Sequence, residues 1–395
     1  MILTKKQEEG LKIAIQRHAD FERYTVISGY AGTGKSTLVR FIIEALGVDE
    51  DRVVYTAYTG KAVEVLRKKG NRNACTLHKL LYDHFPKPAG GFFRKPKPKI
   101  DYDIVIVDEV SMAPKTLMDL LLSHKCYIIC LGDPFQLPPI DKDEDHGLLN
   151  KPHIFLDEVM RQAAESEIIR MTMDIRAGNH IPYNDKGKEV LVLPRKELTT
   201  GMLSWADQVL VGTNAVRMQI NNEMRALYGF EGGPQEGDKV ICLRNYWEEM
   251  SFNEGDPLVN GTIGYLKNGF QTFRSVPLFV KGQPRSFDIW QADLVIPYTN
   301  DCFEMTEIDY KMLTTGEKCC DWRMAYQLGR LKPKYGEIVP KEFAYAYAIT
   351  CHKSQGSEWD KVLVLEEKFP YAEEEHARWL YTACTRASEK LVLVR

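Results

Sequence analysis

The sequence predicts an α/β protein built on parallel sheets with helices on both faces. Strand-like and helical segments alternate from the N-terminus to about residue 157, and the same texture returns after about residue 340. In addition, a glycine-rich loop stands between a predicted strand and a predicted helix. These observations predict two α/β regions separated by a segment of a different kind.

The glycine-rich loop has the composition of a phosphate-binding loop. The segment from Gly29 to Ser36 fits G-x-x-x-x-G-K-[ST], in which backbone N–H groups and the lysine hold phosphates and the hydroxyl ligates magnesium. A β-type run at 24–28 precedes it, and a run with helical apolar spacing at 37–46 follows it. This context predicts a working phosphate loop.

An acid pair stands about seventy residues further on. The apolar run 104–107 is followed directly by Asp108 and Glu109. Such a run predicts a buried parallel strand that delivers one carboxylate to Mg²⁺ and the other to an attacking water. Together with the phosphate loop, the pair predicts an enzyme that hydrolyses a nucleoside triphosphate.

Composition limits the class of protein. A chain of 395 residues that is 44% hydrophobic can bury two or three domain cores. Its apolar runs are too short to span a membrane and its first residues lack a signal-peptide core, so we expect a cytoplasmic protein. Nine cysteines without a C-x-x-C pair favour reduced thiols. The net charge of −3 requires any phosphate-bearing partner to be held by a local basic surface.

Residues 83–99 interrupt the α/β pattern. They contain four prolines and five lysines or arginines, and 88–91 forms a plausible turn between two extended arms, which predicts a protruding hairpin. Phe92 and Phe93 follow the turn, and exposed phenylalanines among lysines are costly unless they meet a base or another surface. The hairpin is therefore interpreted as a strand-separating pin, with a solvated loop as the alternative.

Residues 237–340 have the texture of a small β module. We expect short antiparallel strands there, followed by a helix within 302–329. The strands are expected at 240–243, 262–266 and 287–290, and the α/β strands that come after the module at 343–349, 361–365 and 391–394.

In order along the chain, the motifs resemble those of a superfamily 1B DNA helicase of the RecD/Dda-like branch. A phosphate loop alone would indicate only an NTPase, whereas the ordered set is specific. It comprises an adenine-reading motif at 3–7 and motifs I (29–37), Ia (56–62), Ib (76–78), II (108–109), III (131–139), IV (156–162), V (350–358) and VI (381–387). Tyr58 departs from the pattern, since family members commonly carry proline at that position of motif Ia.

The resemblance implies two RecA-like parallel-sheet lobes with the nucleotide between them. It also implies a pin hairpin inserted in the first lobe and a small SH3-like β module inserted in the second. The expected domains are the first lobe at 1–157 with the pin at 83–99, the second lobe at 158–236 and 341–395, and the SH3-like module with its helix at 237–340.

The resemblance further implies ATP and Mg²⁺ as cofactors and assigns residues to them. Ser36 and Asp108 hold the metal, while Glu109 orients or deprotonates the attacking water. Gln136 resembles the sensor of the γ-phosphate. The residues assigned to the nucleotide are Gln7, Gly32, Thr33, Gly34, Lys35, Ser36, Thr37 and Glu358.

Two arginines are expected to reach the nucleotide from the second lobe. Arg161 and Arg386 resemble arginine fingers, which commonly increase the rate by about 10³ to 10⁵. The alternative for each is a surface ion pair. Gln7 also has an alternative, because Thr4 to Gln7 fits a helix capping box.

The resemblance places the nucleic-acid contacts in motifs Ia, Ib and V and in the pin. His78 and His352 have the alternative of being ordinary polar residues at the ends of elements. The residues assigned to nucleic acid are Thr59, Lys61, His78, Phe92, Phe93, Thr350, His352 and Lys353.

These assignments predict an ATP-dependent DNA helicase that moves 5′ to 3′ on single-stranded DNA and opens forked duplex as a monomer. Replication or repair proteins are its expected partners, and no membrane is involved. One alternative is a translocase that strips bound proteins from single strands without unwinding. The other is a nucleotide-controlled switch or a metabolic phosphotransferase.

Overall fold

The computed structural model describes most of the chain and resolves it into two compact units. The described residues are 3–86, 92–138, 145–253, 257–280, 283–297, 301–320, 324, 326–328, 339–368 and 372–395. The larger unit comprises Met1–Leu81, Lys97–Asn214 and Ile349–Arg395, and the smaller unit comprises Tyr82–Pro96 and Ala215–Ala348.

The larger unit contains a six-stranded parallel sheet with strand order β3-β2-β6-β7-β1-β8. Its strands are β1 (Tyr24–Gly29), β2 (Val53–Ala57), β3 (Cys75–Thr76), β6 (Ile104–Val107), β7 (Tyr127–Gly132) and β8 (Ile154–Leu156). The helices in this part of the chain are α1 (Lys5–Ala19), α2 (Lys35–Leu46), α3 (Gly60–Lys68), α4 (Leu77–Leu81) and α5 (Lys115–Leu122).

A second sheet of the larger unit has strand order β18-β10-β19-β20-β9, and the pairs β10–β19, β19–β20 and β20–β9 are parallel. The strands are β9 (Val190–Leu193), β10 (Gln208–Val211), β18 (Ala348–Thr350), β19 (Trp359–Leu365) and β20 (Ala387–Val394). Its helices are α6 (Arg161–Ala164), α7 (Glu167–Ala177), α8 (Thr200–Trp205), α11 (Cys351–Ser354) and α12 (Glu373–Cys384). The predicted α/β class is thus confirmed.

Burial explains why the central strands are continuous apolar runs. All four residues of β6 are buried, because parallel sheets are covered by helices on both faces. Ile27, Leu38 and Ile129 pack in the same core. Each such side chain contributes about 1.5–3 kcal/mol to folding, so this core fixes the strands from which the site loops emerge.

Strand direction brings three motif loops to one edge of the first sheet. Strands β1, β6 and β7 run parallel, so the loops after them leave at the same edge. These loops are the phosphate loop, the acid pair at 108–109 and the motif III segment at 133–137. The sheet therefore assembles residues that are more than a hundred positions apart.

The smaller unit is mostly antiparallel, with a sheet of order β16-β15-β14-β11-β17 and a separate pair β12–β13. Its strands are β11 (Lys239–Cys242), β12 (Tyr246–Met250), β13 (Pro257–Leu258), β14 (Ile263–Val280), β15 (Gln283–Val295), β16 (Cys302–Asp309) and β17 (Phe343–Tyr345). Its helices include α9 (Asn214–Leu227) and α10 (Tyr310–Thr315).

The prediction of short strands in this unit was wrong for its central pair. β14 has 18 residues and β15 has 13, and they pair as one long ribbon. The register shifts between Lys267 and Phe270, and the strand continues through that irregularity, beyond the short strand expected at 262–266.

A helix is present within 302–329, as expected. It is α10, which begins after Asp309, whose side chain accepts a hydrogen bond from Met312 N–H, and strand β16 precedes it. The strand expected at 343–349 is divided, since β17 pairs with β11 while β18 lies in the second parallel sheet. A fully buried apolar run does not reveal which sheet it joins. The domain limits at 236 and 340 stay predictions.

The two extended arms of the hairpin are present. They are β4 (Tyr82–Pro86) and β5 (Phe92–Pro96), which pair antiparallel from Tyr82 with Pro96 to Pro86 with Phe92. Strand β5 also packs against β12. The turn predicted at 88–91 lies outside the described residues, and the pin function stays a prediction.

Within the smaller unit, a buried ion pair joins α9 to the residue before β11. Arg225 Nε and Nη2 donate to the two carboxylate oxygens of Asp238, at 2.9 and 3.0 Å. The side chain of Arg225 is 7% exposed and that of Asp238 is 0% exposed. Gln235 N–H and the Tyr347 hydroxyl donate to the same carboxylate, so its acceptor capacity is used.

Asp238→Ala is expected to lower the free energy of unfolding by about 3–5 kcal/mol, because it leaves the Arg225 guanidinium buried without a counter-ion. Urea denaturation followed by circular dichroism measures this. As a matched control, Glu317→Ala removes one partner of an exposed pair with Lys311 and should leave the urea midpoint unchanged. Equal shifts for the two variants would contradict the stabilising role of the buried pair.

Within the described ranges, no helix is both long enough and apolar enough to cross a bilayer.

Candidate nucleotide site and nucleic-acid interface

The phosphate loop has the strand–loop–helix setting that its sequence predicted, between β1 and α2. Gly32 and Gly34 have φ of 75° and 76°, a left-handed conformation that glycine adopts without strain. A side chain at Gly29 would bring Cβ within 2.7 Å of the Leu156 carbonyl oxygen. The glycines are thus required by the backbone path, which leads into the N-terminus of α2, where free N–H groups attract anions.

Lys35 lies back over the loop. Its ammonium donates to the carbonyl oxygens of Gly29 and Tyr30 at 2.7 and 3.0 Å. Thr33 is buried and its hydroxyl donates to the Tyr30 carbonyl, whereas Ser36 is exposed on the first turn of α2. Two of the three ammonium donors of Lys35 are thus used within the loop, whereas the Ser36 side chain is exposed.

The environment of Asp108 fits a magnesium ion. Burial raises the pKa of the Asp108 carboxyl, the neighbouring Glu109 carboxylate raises it further, and Lys35 lowers it. Lys69 and a hydrogen bond from Glu109 N–H also lower this pKa, so the buried carboxylate is partly compensated, and a bound cation would stabilise its charged form further. Mg²⁺ commonly uses one or two carboxylates together with substrate phosphates. In the described part of the chain, no three His, Cys, Asp or Glu side chains are grouped so that they could hold a metal ion by themselves.

Two of the predicted catalytic side chains, Gln136 and Arg386, lie close to a third, Glu109. Glu109 Oε1 lies 3.4 Å from Gln136 Nε2 and 3.8 Å from Arg386 Nη1. These residues follow β6, β7 and α12, so elements far apart in sequence converge on one carboxylate. A carboxylate next to an amide and a guanidinium is an arrangement that could bind a water and stabilise charge on a transferred phosphoryl group, and the catalytic roles of these residues stay predictions.

Arg386 does not form the surface ion pair that was its alternative. Its side chain is only 5% exposed. The guanidinium donates to the carbonyls of Thr382 and Ser357, at 3.1 and 3.2 Å, and to the Thr385 hydroxyl at 3.1 Å. These bonds aim it toward Glu109, and its role as a finger stays a prediction. Arg161 begins α6, and its side chain lies outside the described part of the structure.

Gln7 makes the capping box that its sequence allowed. Its N–H donates to the Thr4 hydroxyl at 3.3 Å, and its Oε1 accepts from Thr4 N–H at 3.0 Å. The side chain is 1% exposed, and Nε2 donates to the Thr33 carbonyl in the phosphate loop at 3.2 Å. Gln7 therefore supports both α1 and the loop, while adenine recognition stays a prediction.

Two other residues assigned to the nucleotide lie on different elements. Thr37 is half-buried on α2. Glu358, from motif V, forms an ion pair with Lys69 at the end of α3, at 2.8 Å. This contact ties motif V to the first sheet, and a role of Glu358 at the nucleotide stays a prediction.

The motif Ia and Ib candidates have structural contacts of their own. Thr59 is buried, and its hydroxyl caps α3 by accepting from Ala62 N–H at 3.2 Å. Lys61 pairs with Glu64 at 3.0 Å. His78 is buried with its ring centroid 5.8 Å from that of Tyr58. Nucleic-acid contacts by these residues stay predictions.

The motif V candidates cluster around α11. Thr350 precedes this short helix, and His352 and Lys353 lie half-buried on it. Burial lowers the pKa of His352, so its imidazole is neutral near pH 7 and suits hydrogen bonding rather than charge neutralisation of a phosphate. Phe92 and Phe93 lie on β5, and their side chains fall outside the described part.

Sequence reasoning missed one contact at the centre of the site. The Tyr381 hydroxyl accepts from Ala31 N–H in the phosphate loop at 2.8 Å and donates to the Asp133 carboxylate at 2.6 Å. Tyr381 opens motif VI and Asp133 lies in motif III, so both stood inside recognised motifs. Their separation along the chain gave no sign that they touch.

Comparison with known proteins gives matches at both ends of the chain. Residues 3–188 match the family described as an AAA domain, and residues 345–394 match the UvrD-like helicase C-terminal domain.

Relatives match over different shares of the chain. The ATP-dependent RecD2 DNA helicase of Deinococcus radiodurans is 29% identical over 423 residues, which cover 98% of this chain and 49% of the relative. The ATP-dependent DNA helicase dda of Enterobacteria phage T4 is 30% identical over 190 residues, which cover 45% and 43%. The chain thus spans about half or less of the length of these curated relatives.

Among solved structures, Pif1 helicase from Bacteroides in complex with ADP-AlF3 and ssDNA is 17% identical, with a TM-score of 0.48 and coverage of 100% of this chain and 92% of that one. The two domain matches, in the order found here, and the relatives that align along the chain make it similar to the superfamily 1B helicases of the RecD/Dda-like branch.

Proposed function

We propose that this chain is an ATP-dependent DNA helicase that translocates on single-stranded DNA. The observation that carries the proposal is the convergence of Gln136 and Arg386 on Glu109, beside a phosphate loop. A nucleotide site that needs an arginine from the second sheet is complete only when the parts carrying the two sheets are together. ATP binding and hydrolysis can then move the two parts relative to each other, and this motion carries the protein along a DNA strand.

The residues divide the chemistry between them. Lys35 and the amides of Gly32 to Ser36 hold the β- and γ-phosphates, and Asp108 and Ser36 hold Mg²⁺. When bound, the metal neutralises charge on the phosphates. Glu109 Oε1 accepts the proton of the attacking water.

Charge that develops during hydrolysis is stabilised by the groups around Glu109. Arg386 and Gln136 stabilise the charge that grows on the γ-phosphoryl group, with Arg161 as a second finger. Gln7 reads the adenine, and Thr37 and Glu358 complete the nucleotide site.

The DNA substrate is proposed from the family and from the relatives. RecD2 and dda are named ATP-dependent DNA helicases. By resemblance to this branch, the chain moves 5′ to 3′ on single strands and opens forked duplex, acting as a monomer with replication or repair proteins. Thr59, Lys61, His78, Thr350, His352 and Lys353 contact the tracking strand, and the antiparallel sheet of the smaller unit serves as the SH3-like module.

Stimulation of ATP hydrolysis by nucleic acid tests this proposal. We expect the rate to rise steeply with single-stranded oligodeoxynucleotide and to depend on Mg²⁺. ATP hydrolysis that is indifferent to every polynucleotide would contradict the proposal and favour a switch or a metabolic phosphotransferase. Stimulation by DNA without unwinding of any fork would favour the protein-stripping translocase.

The hairpin is proposed as the pin that separates the strands. Strand β5 packs against β12, so the hairpin has a support within its own unit. An aromatic side chain at its tip can stack on a terminal base pair, with about 1–3 kcal/mol per base. A supported, aromatic wedge would divide the strands as the motor pulls one of them past it.

Replacing both Phe92 and Phe93 with alanine is expected to abolish most fork unwinding while DNA-stimulated ATP hydrolysis and translocation on single strands are kept. The substitutions remove the wedge and leave the nucleotide site intact. Strand displacement and ATP hydrolysis are measured on one preparation, with Phe252→Ala, an exposed phenylalanine of the same unit, as a matched control. Unwinding at the wild-type rate in the folded double variant would reject the pin, and a parallel loss of ATP hydrolysis would assign the hairpin to the tracking strand.

A further inference from the structure

One tyrosine hydroxyl connects three parts of the nucleotide site. Tyr381 lies on α12, and its hydroxyl contacts Ala31 N–H in the phosphate loop and Asp133 in motif III, at 2.8 and 2.6 Å. Tyr381 and Asp133 are both almost fully buried. The hydroxyl accepts a hydrogen bond from one loop of the first sheet and donates one to another. It thereby joins both loops to α12, a helix that packs against the second sheet.

The same face of α12 holds the rest of motif III, since side chains three and four residues apart share a helix face. Arg378 Nη1 donates to the Pro134 carbonyl at 2.9 Å, and the Thr382 hydroxyl accepts from Leu137 N–H at 2.9 Å. Gln136 lies between these two anchored positions. Helix α12 thus fixes the backbone on both sides of the γ-phosphate sensor.

We propose that Tyr381 is a positioning residue for ATP hydrolysis, whose hydroxyl holds the phosphate loop and motif III at the separation at which Gln136 and Arg386 reach Glu109. The inference rests on the proposed ATPase function and adds to it the group that aligns the site. Loss of the hydroxyl leaves Ala31 N–H without its acceptor and Asp133 Oδ2 without its donor, so both loops lose a restraint.

The Asp133 carboxylate contacts both the Tyr381 hydroxyl and the backbone next to Gln136. Its Oδ1 accepts from Phe135 N–H at 2.9 Å, while its Oδ2 accepts from Tyr381. The Phe135 ring meets the Tyr381 ring edge-on, with centroids 5.2 Å apart. A tyrosine at this position thus supplies packing through its ring and alignment through its hydroxyl, and the two contributions can be separated by substitution.

Tyr381→Phe keeps the ring and removes the hydroxyl. We expect kcat for DNA-stimulated ATP hydrolysis to fall by about tenfold or more, while KM for ATP changes by less than about threefold, because alignment matters most in the transition state. Asp133→Asn, which keeps an acceptor for Phe135 N–H, should lower kcat in the same direction. The double variant should be little worse than Tyr381→Phe alone, since that variant has already lost the hydrogen bond that Asp133→Asn weakens.

Tyr347→Phe is the matched control. The Tyr347 hydroxyl also accepts a backbone N–H, from Lys239 at 3.2 Å, and donates to a buried carboxylate, Asp238 at 3.1 Å, but it does so in the smaller unit. Its loss should lower the melting temperature to a similar extent and leave both kcat and KM at their wild-type values.

The outcomes are distinct. A folded Tyr381→Phe variant with wild-type kcat and only a lower melting temperature would overturn the inference, because the hydroxyl would then be structural alone. If Tyr381→Phe does not fold, a wild-type kcat in the folded Asp133→Asn variant would overturn the inference instead. Absence of DNA-stimulated hydrolysis in the wild-type protein would instead reject the proposed function.

Discussion

Glu109→Gln is expected to keep binding of ATP and DNA and to lose hydrolysis, with kcat reduced by about 10² to 10⁴-fold. The amide is nearly isosteric and leaves Asp108 to hold the metal, but it does not accept a proton from the attacking water. It also removes the negative charge that faces Arg386. The three hydrogen bonds of Arg386 to Thr382, Ser357 and Thr385 do not involve Glu109 and are kept. Single-turnover hydrolysis with saturating DNA, together with equilibrium binding of a fluorescent ATP analogue, separates chemistry from binding.

Lys35→Ala is the comparison variant for Glu109→Gln. Removing the ammonium from the phosphate loop should weaken nucleotide binding and abolish turnover, so the two defects should differ in kind. Hydrolysis at the wild-type rate by Glu109→Gln would show that Glu109 is not the base.

Arg386→Ala is expected to lower kcat for DNA-stimulated hydrolysis by about 10²-fold or more while changing the affinity for ATP much less. The guanidinium lies 3.8 Å from Glu109 and is held by Thr382, Ser357 and Thr385, so it is already aimed at the site. Its charge matters most where the transition state develops. Steady-state kinetics over a range of ATP concentrations separates kcat from KM.

Arg386→Lys controls for charge. An ammonium does not offer the planar fork that contacts two carbonyls and a hydroxyl here, so rescue should be incomplete. Because Arg386 is buried, the melting temperature of both variants must be measured alongside the kinetics. A change in KM alone, with kcat preserved, would reassign Arg386 to ground-state binding.

Local patterns in the sequence predicted the parts of the site that depend on local geometry. The phosphate loop between a strand and a helix and the buried strand before Asp108 have signatures within a few residues. So does the capping box of Thr4 with Gln7, which was the alternative to adenine recognition. Each of these elements is where the pattern placed it. Parallel strand order then explains why distant motif loops share one sheet edge.

Contacts between elements far apart in sequence were not predictable in the same way. Tyr381 and Asp133 meet through tertiary packing, and nothing in their spacing indicates a shared hydrogen bond. The apolar run at 343–349 divides between two sheets, because burial alone does not specify a partner strand. The ribbon of β14 and β15 continues through a register shift between Lys267 and Phe270, so it is longer than the short strands that the sequence predicted.

Strand displacement on matched duplexes with a 5′ or a 3′ single-stranded tail tests the central claim most directly. The claim is that a nucleotide site completed by Arg386 drives unwinding. We expect the wild-type protein to displace the strand from the 5′-tailed duplex only, with ATP and Mg²⁺ present, and we expect Arg386→Ala to fail on both substrates. Displacement without ATP, displacement from the 3′-tailed duplex alone, or wild-type unwinding by a folded Arg386→Ala variant would contradict it.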